Sequence, residues 1–223
     1  MNEEIERKLK TYQRGYAEVD LDAIVDNMEN MKQHLAPGTQ MIGVIKADGY
    51  GHGSVPIAKC LQELDYVFGF AVATAEEAHI LRLAGIHKPI LLLGYAFPYS
   101  YSVLAEEEIR PAVFRYDMIE QLNETAAQTG KKIKVHIKVD TGMSRIGITP
   151  DEEGLKFVEN LAKKEHLVIE GIFTHFARAD EIDKSSAMHQ LELFQKFVHM
   201  VETKLEIEIP MKHCANSASI MEL

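Results

Sequence analysis

The stretch VIKADGYGHG, residues 44–53, ends an apolar run with one lysine and continues as a glycine-rich segment. A lysine at the end of a buried strand either extends its ammonium group to water or, with a pKa lowered by burial or by nearby cations, acts as a nucleophile or base. The glycines match neither the GxGxxG fingerprint nor a P-loop, so alone they predict no phosphate cradle. Lys46 is the first candidate for chemistry.

A second candidate group lies in and after KIKVHIKVD, residues 132–140. Apolar and polar residues alternate there, so one face carries Lys134, His136, Lys138 and Asp140. In an edge strand this face would meet solvent, whereas in a barrel it would point into the interior and bring Lys138 to the mouth. Arg145 returns to the same end. Two cations and an acid there suit an anionic ligand or cofactor.

Two later segments also place polar residues where strands end. His175 lies in THFARADE (174–181), and the segment HCANSAS (213–219) contains Asn216 and Ser217. A lone histidine is more often structural than catalytic. Small polar residues before a helix can form a phosphate seat or only cap the helix.

The elements that must position these residues repeat along the chain. Apolar segments predict seven strands, at residues 41–46, 66–73, 89–94, 110–115, 132–140, 167–177 and 209–218. Helical patterns separate them, and the predicted helix starts are Ser54, a Thr74–Glu77 capping box and Thr149. Such alternation indicates a parallel α/β sheet, either doubly wound or a (β/α)8 barrel. The steady rhythm and the absence of a pyrophosphate fingerprint favour the TIM-type barrel, incomplete with seven of eight strands.

Composition excludes several classes of protein. A net charge of −10 over 223 residues argues against nucleic-acid binding. The two cysteines have no CxxC spacing, so we predict no metal site and a reducing compartment. No apolar run approaches a membrane span, and the charged N-terminus is not a signal peptide. We therefore expect a cytoplasmic protein that acts on a small molecule and binds no membrane.

Taken together, these strand ends resemble the alanine racemases, enzymes dependent on pyridoxal 5'-phosphate (PLP) whose N-terminal domain is a (β/α)8 barrel. The matching stretches lie in register along the chain and are AEVDLDAIVDN (17–27), VIKADGYGHG, KVDTGMSRIG (138–147), THFARADE and HCANSAS. The resemblance implies a charged leader over residues 1–15 and a PLP-binding barrel domain over 16–223, with the C-terminal β-domain of the family absent.

The resemblance also implies roles for individual residues. Lys46 would carry PLP and serve as one of two acid/base groups at the substrate α-carbon. Tyr50 and Ser217 match positions that hold the cofactor phosphate, and Asn216 lies in the same motif. Arg145 would lie beside the phenolic oxygen. His175 would position an arginine beneath the pyridine nitrogen, and Lys138 matches a lysine that is often carbamylated. Ser144 stands where glycine is commoner in the family.

The activity that follows is the interconversion of L- and D-alanine by two bases, which supplies D-alanine for cell-wall peptidoglycan. In the family the second base is a tyrosine from the C-terminal domain of the partner subunit in a homodimer. These 223 residues are therefore expected to be a truncated domain that is inactive alone. Two alternatives remain open: a racemase for serine or another small amino acid, and a single-domain PLP-binding protein of cofactor homeostasis.

Overall fold

The computed structural model describes residues 15–223, so the predicted leader lies almost entirely outside the described residues. The strands are β1 (Met41–Val44), β2 (Val67–Val72), β3 (Ile90–Leu92), β4 (Ile109–Val113), β5 (Ile133–Lys138), β6 (Leu167–Phe173) and β7 (Met211–His213). The helices are α1 (Leu21–Gln33), α2 (Ser54–Leu61), α3 (Ala75–Leu83), α4 (Tyr101–Glu106), α5 (Tyr116–Thr129), α6 (Glu152–Ala162), α7 (Ser185–Leu205) and α8 (Ser217–Glu222).

All seven strands pair in parallel and in sequence order, from β1 at one edge to β7 at the other. Consecutive parallel strands connected by helices are the arrangement of a (β/α)8 barrel, here open between β1 and β7. The predicted incomplete barrel is confirmed. Because the strands are parallel, their carboxyl ends meet at one rim, which we call the mouth.

The strands are shorter than the apolar segments that predicted them. The first was expected over 41–46, but its ladder ends at Val44, and Ile45 adds only a backbone bond to Ala71 at 2.9 Å. The sixth was expected to reach residue 177 and ends at Phe173. Beyond these ends Ile45 and Phe176 are still buried apolar residues, and single backbone bonds such as that from the Thr174 N–H to the His213 carbonyl at 3.3 Å replace the regular ladder.

Several helix starts differ from their predicted caps. Gly53 is the N-cap of α2, and the Ser54 N–H binds the Asp48 carboxylate at 2.8 Å. Asp151 caps α6, with Thr149 donating its hydroxyl to the Asp151 carboxylate at 2.7 Å. In both cases the carboxylate of a nearby aspartate accepts the hydrogen bond in place of the hydroxyl group that was predicted to cap the helix.

The core lies between the strands and the surrounding helices. Its largest fully buried side chains include Phe70, Tyr101, Phe157 and Phe197. Helix α1 contributes only half-buried side chains, because it packs with one apolar stripe against this core. Among the helices of residues 15–223, none combines the length and apolar character needed to cross a membrane.

Candidate active site

Lys46 lies at the mouth, two residues beyond the end of β1, and its side chain is half-buried. Its Nζ atom is 5.9 Å from the centroid of the Tyr50 ring. Tyr50 itself is 60% exposed, so one side of this pair is open to solvent. A lysine held against an aromatic ring at an accessible rim can reach a bound molecule without crossing the core.

The backbone that follows Lys46 is left-handed. Ala47, Asp48 and Gly49 have φ of 51°, 51° and 61°, and Tyr50 has φ of 55°; we call Lys46–Tyr50 the Lys46 turn. Each non-glycine residue in this region costs roughly 1–2 kcal/mol. Strain of this kind persists only where surrounding contacts hold it, and it concentrates at functional sites.

Lys138 ends β5 inside the barrel and is only 2% exposed. Its Nζ donates to the carbonyl oxygen of Val139 at 2.6 Å and lies 5.5 Å from the Phe173 ring. Burial, and secondarily the charge of Arg145, lower the pKa of Lys138 to about 8, although Asp140 opposes the change. The polar face of β5 therefore points inward.

Asp140 organises the turn that returns Arg145 to the mouth. Its carboxylate accepts the N–H groups of Gly142 and Ser144, each at 3.0 Å. Burial would raise the pKa of Asp140, but these N–H groups and Lys138 outweigh it and lower the pKa. Ser144 has φ of 57°, a conformation that favours glycine.

His175 follows β6 and is half-buried at the same rim. Burial lowers its pKa, and the charges of Arg145, Lys138 and Lys46 lower it further. The structure therefore brings together four of the residues singled out in the sequence. Three cations around a histidine with a lowered pKa form a mouth that is suited to an anion.

At the end of β7 the structure shows a helix cap. Asn216 accepts the Ser219 N–H at 3.1 Å, and Ser219 Oγ accepts the Asn216 N–H at 2.8 Å, which together form a capping box. Ser217 is the first residue of α8, and its side chain is exposed. Asn216 thus has a local structural role in addition to any part in binding.

Beneath the mouth lies a polar network in the barrel, of which sequence reasoning found Lys134 and His136 but missed Glu170 and Arg110. Glu170 in β6 accepts from Arg110 Nε at 3.1 Å, from Lys134 Nζ at 2.8 Å and from His136 Nε2 at 3.3 Å. His136 Nδ1 is 2.9 Å from His213 Nε2. Burial would raise the pKa of Glu170, but His136, Lys134 and Arg110 lower it to about 2.

The hydrogen-bond partners in this polar network restrict where the ring protons of the two histidines lie. Since Glu170 is ionised, it can only accept, so the Nε2 atom of His136 donates. When His136 is neutral, its Nδ1 accepts a hydrogen bond from the Nε2–H of His213, and when His136 is protonated, its Nδ1–H donates to the Nε2 of His213. Burial, with the charges of His136 and Lys138, lowers the pKa of His213 to about 3 and keeps that ring neutral. His213 therefore stays neutral whichever of the two rings donates in this pair.

Gly171 leaves space for the His136 ring of this polar network. A Cβ atom there would lie 2.5 Å from His136 Nδ1, the atom that meets His213. We expect Gly171→Ala to move the His136 ring, break its bond to His213 and lower the free energy of unfolding by about 1–3 kcal/mol. Denaturant unfolding measures the loss, and histidine ring NMR reports the bond. Gly15→Ala is the control, since its added methyl group meets nothing within 4 Å. Equal stability of the two variants would contradict the expected clash.

The sequence of this chain is similar to a known family and to individual proteins. The family described as "Alanine racemase, N-terminal domain" matches residues 19–223. The alanine racemase of Desulforamulus reducens is 42% identical over 93% of this chain and 55% of its own length. The chain thus spans about half the length of the curated relatives it matches.

Two solved structures bear on the fold and on its range of substrates. The alanine racemase of Clostridium difficile 630, in complex with cycloserine, superposes with a TM-score of 0.88 at 38% identity, over 91% of this chain and 55% of that one. A histidine racemase from Leuconostoc mesenteroides superposes with a TM-score of 0.80 at 28% identity, over 91% and 53%. The same barrel therefore occurs in racemases named for different substrates.

Proposed function

This chain belongs to the alanine racemase family, whose N-terminal domain it matches, and from that membership we propose that it forms the PLP-binding part of an enzyme that interconverts L- and D-alanine. The observation that carries the proposal is the group of Lys46, Lys138 and Arg145 around His175 at the mouth. Identity above 40% to alanine racemases supports the reaction class.

The donor set of the mouth fits the cofactor. PLP carries a phosphate and a phenolic oxygen, both of which favour positive surroundings. Three cations lie near one another at the mouth, although the chain has a net charge of −10. The mouth is therefore a positively charged region of an acidic protein. Local positive charge in an acidic protein attracts and orients an anion.

The proposed assignments follow the motifs. Lys46 Nζ would attach PLP, Arg145 would lie beside its phenolic oxygen, and His175 would position an arginine beneath its pyridine nitrogen. Tyr50 would hold the phosphate together with Ser217, the first residue of α8, and its N-cap Asn216. When bound, PLP supplies an electron sink that makes the α-proton of the amino acid removable.

Lys46 then acts on one face of the substrate. Its Nζ removes or returns the proton at the α-carbon, as a general base or acid. The strained Lys46 turn fixes where this nitrogen starts, and the Tyr50 ring limits its motion. Inversion needs a second acid/base group on the opposite face. We propose that this group is a tyrosine supplied from outside these 223 residues, by the partner subunit of a homodimer.

A racemisation assay tests the two-base proposal. Purified 223-residue protein with saturating PLP is expected to racemise neither L-alanine nor D-alanine, because one base cannot return the proton to the other face. The full-length alanine racemase of Geobacillus stearothermophilus, a relative that is 41% identical, serves as the positive control. Turnover by the chain alone at a rate similar to that of the control would contradict the proposal.

We further propose that Lys138 is the carbamylated lysine. Its neutral Nζ attacks the carbon of CO2, a nitrogen–carbon bond forms, and the displaced proton passes to solvent. The product is an anion beside Arg145, which it can orient, and Lys46 and Arg145 then remain as the cations of the mouth. A pKa of about 8 leaves roughly a tenth of the amine neutral at pH 7 and half at pH 8.

This proposal predicts a carbamate signal that grows as pH rises. With 13C-labelled bicarbonate, the protein is expected to show a carbamate carbon resonance at pH 8, stronger than at pH 7, and absent from Lys138→Arg. The exposed Lys59→Arg variant is the matched control and should retain the signal. A signal that persists in Lys138→Arg would assign the carbamate to another lysine.

Alanine is the proposed substrate because the reported relatives with the highest identity are alanine racemases. The proposed physiological role is the supply of D-alanine for peptidoglycan in the cytoplasm. Since a histidine racemase shares the barrel, parallel assays with alanine, serine and histidine should be run on the complete enzyme. Preference for serine or histidine would overturn the substrate and leave the racemase class intact.

A further inference from the structure

The carboxylate of Glu77, in the first turn of α3, binds two backbone N–H groups from separate parts of the chain. Its Oε1 atom accepts from Ala47 at 2.8 Å, and its Oε2 atom accepts from Ala73 at 2.8 Å. A capping box predicts that Glu77 binds back to the N–H of Thr74. Only the first half of that box is present, with Thr74 Oγ1 accepting the Glu77 N–H at 3.3 Å.

The partner of Oε1 is the residue directly after Lys46. Ala47 is also the first of the four left-handed residues of the Lys46 turn, and alanine gains nothing from that conformation by itself. Ala73 immediately follows β2, the strand that pairs with β1. One side chain therefore joins the strained turn to the end of the neighbouring strand.

The other hydrogen bonds of the turn are local. Gly49 donates to Ile45 at 2.9 Å, and the Asp48 carboxylate accepts from Ser54 at 2.8 Å. These bonds lie within residues 45–54 and shape the turn, but they do not fix its position on the barrel. The Glu77 bridge reaches across 30 residues of sequence and does so.

We propose that Glu77 is a positioning residue, which holds the left-handed Lys46 turn against the end of β2 and thereby aims Lys46 into the mouth. The inference rests on the proposed function for its purpose, since it deepens the role of Lys46. The bridge itself depends only on residues of this chain. Glu77 acts through the backbone and need not touch cofactor or substrate.

Amide hydrogen exchange tests the bridge directly. In Glu77→Gln the amide keeps the shape of the side chain, but one of its two ends becomes a donor that faces an N–H group. Exchange at Ala47 or Ala73 should become faster by roughly tenfold, the equivalent of one net hydrogen bond. Glu76→Gln is the matched control, because Glu76 is the preceding residue and binds the Tyr99 hydroxyl at 3.0 Å. Unchanged exchange at both amides in Glu77→Gln would overturn the bridge.

The orientation of Lys46 needs a second readout, which does not depend on PLP. Reductive methylation with 13C-formaldehyde places NMR-visible methyl groups on Lys46 Nζ, which lies 5.9 Å from the Tyr50 ring. The ring shifts the methyl resonance, so Glu77→Gln should move it towards the value of a free lysine, whereas Glu76→Gln should not. Unfolding midpoints are measured alongside, and Glu77→Asp, too short to bridge both groups, replaces the glutamine variant if that variant does not fold.

The outcomes separate the two proposals. Faster exchange together with a moved Lys46 resonance supports the positioning role, even if wild-type protein attaches no PLP, in which case only the proposed function fails. Faster exchange with an unmoved resonance would show that Glu77 ties the backbone without aiming Lys46, and would overturn the inference.

Discussion

Replacing Lys46 by arginine is expected to weaken PLP binding to this chain by at least about 100-fold, or nearly 3 kcal/mol. Arginine keeps the positive charge at the mouth, so the electrostatic attraction for an anion remains. Its guanidinium stays protonated and is no nucleophile, so the covalent attachment is lost. The comparison therefore isolates attachment from charge.

Equilibrium dialysis against PLP measures this difference, and Lys59→Arg serves as control. Lys59 is an exposed lysine on α2, only thirteen residues along the chain, so the chemical change is the same and the location differs. We expect the control to bind as wild type does. Equal binding by Lys46→Arg and wild type would show that Lys46 is not the attachment site.

The second large effect concerns Glu170. In Glu170→Gln the shape is kept, but the buried Arg110 and the half-exposed Lys134 lose their shared anion. The pKa of Glu170 is lowered from an ordinary value of about 4.3 to about 2, which corresponds to roughly 3 kcal/mol of stability. Its side chain is only 11% exposed, so solvent screens this little. We expect the variant to lose about that amount at pH 7.

The sign of the pH dependence follows from a lowered carboxyl pKa. The stabilisation is fully present above pH 4.3 and is lost as pH falls through about 2, because protonation removes the charge that the partners favour. The difference between wild type and Glu170→Gln should therefore narrow as the pH is lowered from 4.3 to 2. Denaturant unfolding at several pH values measures it.

The exposed Glu165→Gln variant is the control for this experiment, and it should stay within about 0.5 kcal/mol of wild type at each pH. A difference between Glu170→Gln and wild type that is the same at pH 7 and pH 2 would contradict an ionic origin. A loss below about 1 kcal/mol at pH 7 would show that the buried ion pairs do not stabilise the barrel.

The mouth could be predicted from the sequence because it depends on patterns within single strands and on the shared direction of parallel strands. Alternation along β5 placed Lys138 inside, and parallel strands bring their carboxyl ends to one rim, so Lys46 and His175 had to meet there. Strand ends were predicted too long, because apolar residues such as Ile45 continue past the last ladder position to cover the core. The apolar pattern of a sequence indicates which residues are buried, but not which of them form backbone hydrogen bonds with a neighbouring strand.

The rest could not be predicted, because it depends on partners far apart in sequence. Glu170 is visible as a charge within an apolar strand, but its three partners come from β4 and β5. Glu77 fits a local capping pattern, and nothing in that pattern points 30 residues back to Ala47. The left-handed turn after Lys46 contains alanine and aspartate, which do not signal positive φ as a run of glycines would.

The most direct test of PLP attachment at the mouth is borohydride reduction of the wild-type protein with PLP, followed by peptide mass mapping. The mouth described here predicts a stable pyridoxyl group on the peptide that contains Lys46, and its loss from Lys46→Arg. A pyridoxyl group on Lys138 or on a surface lysine instead, or no specific label, would contradict the assignment of Lys46 as the residue that holds the cofactor.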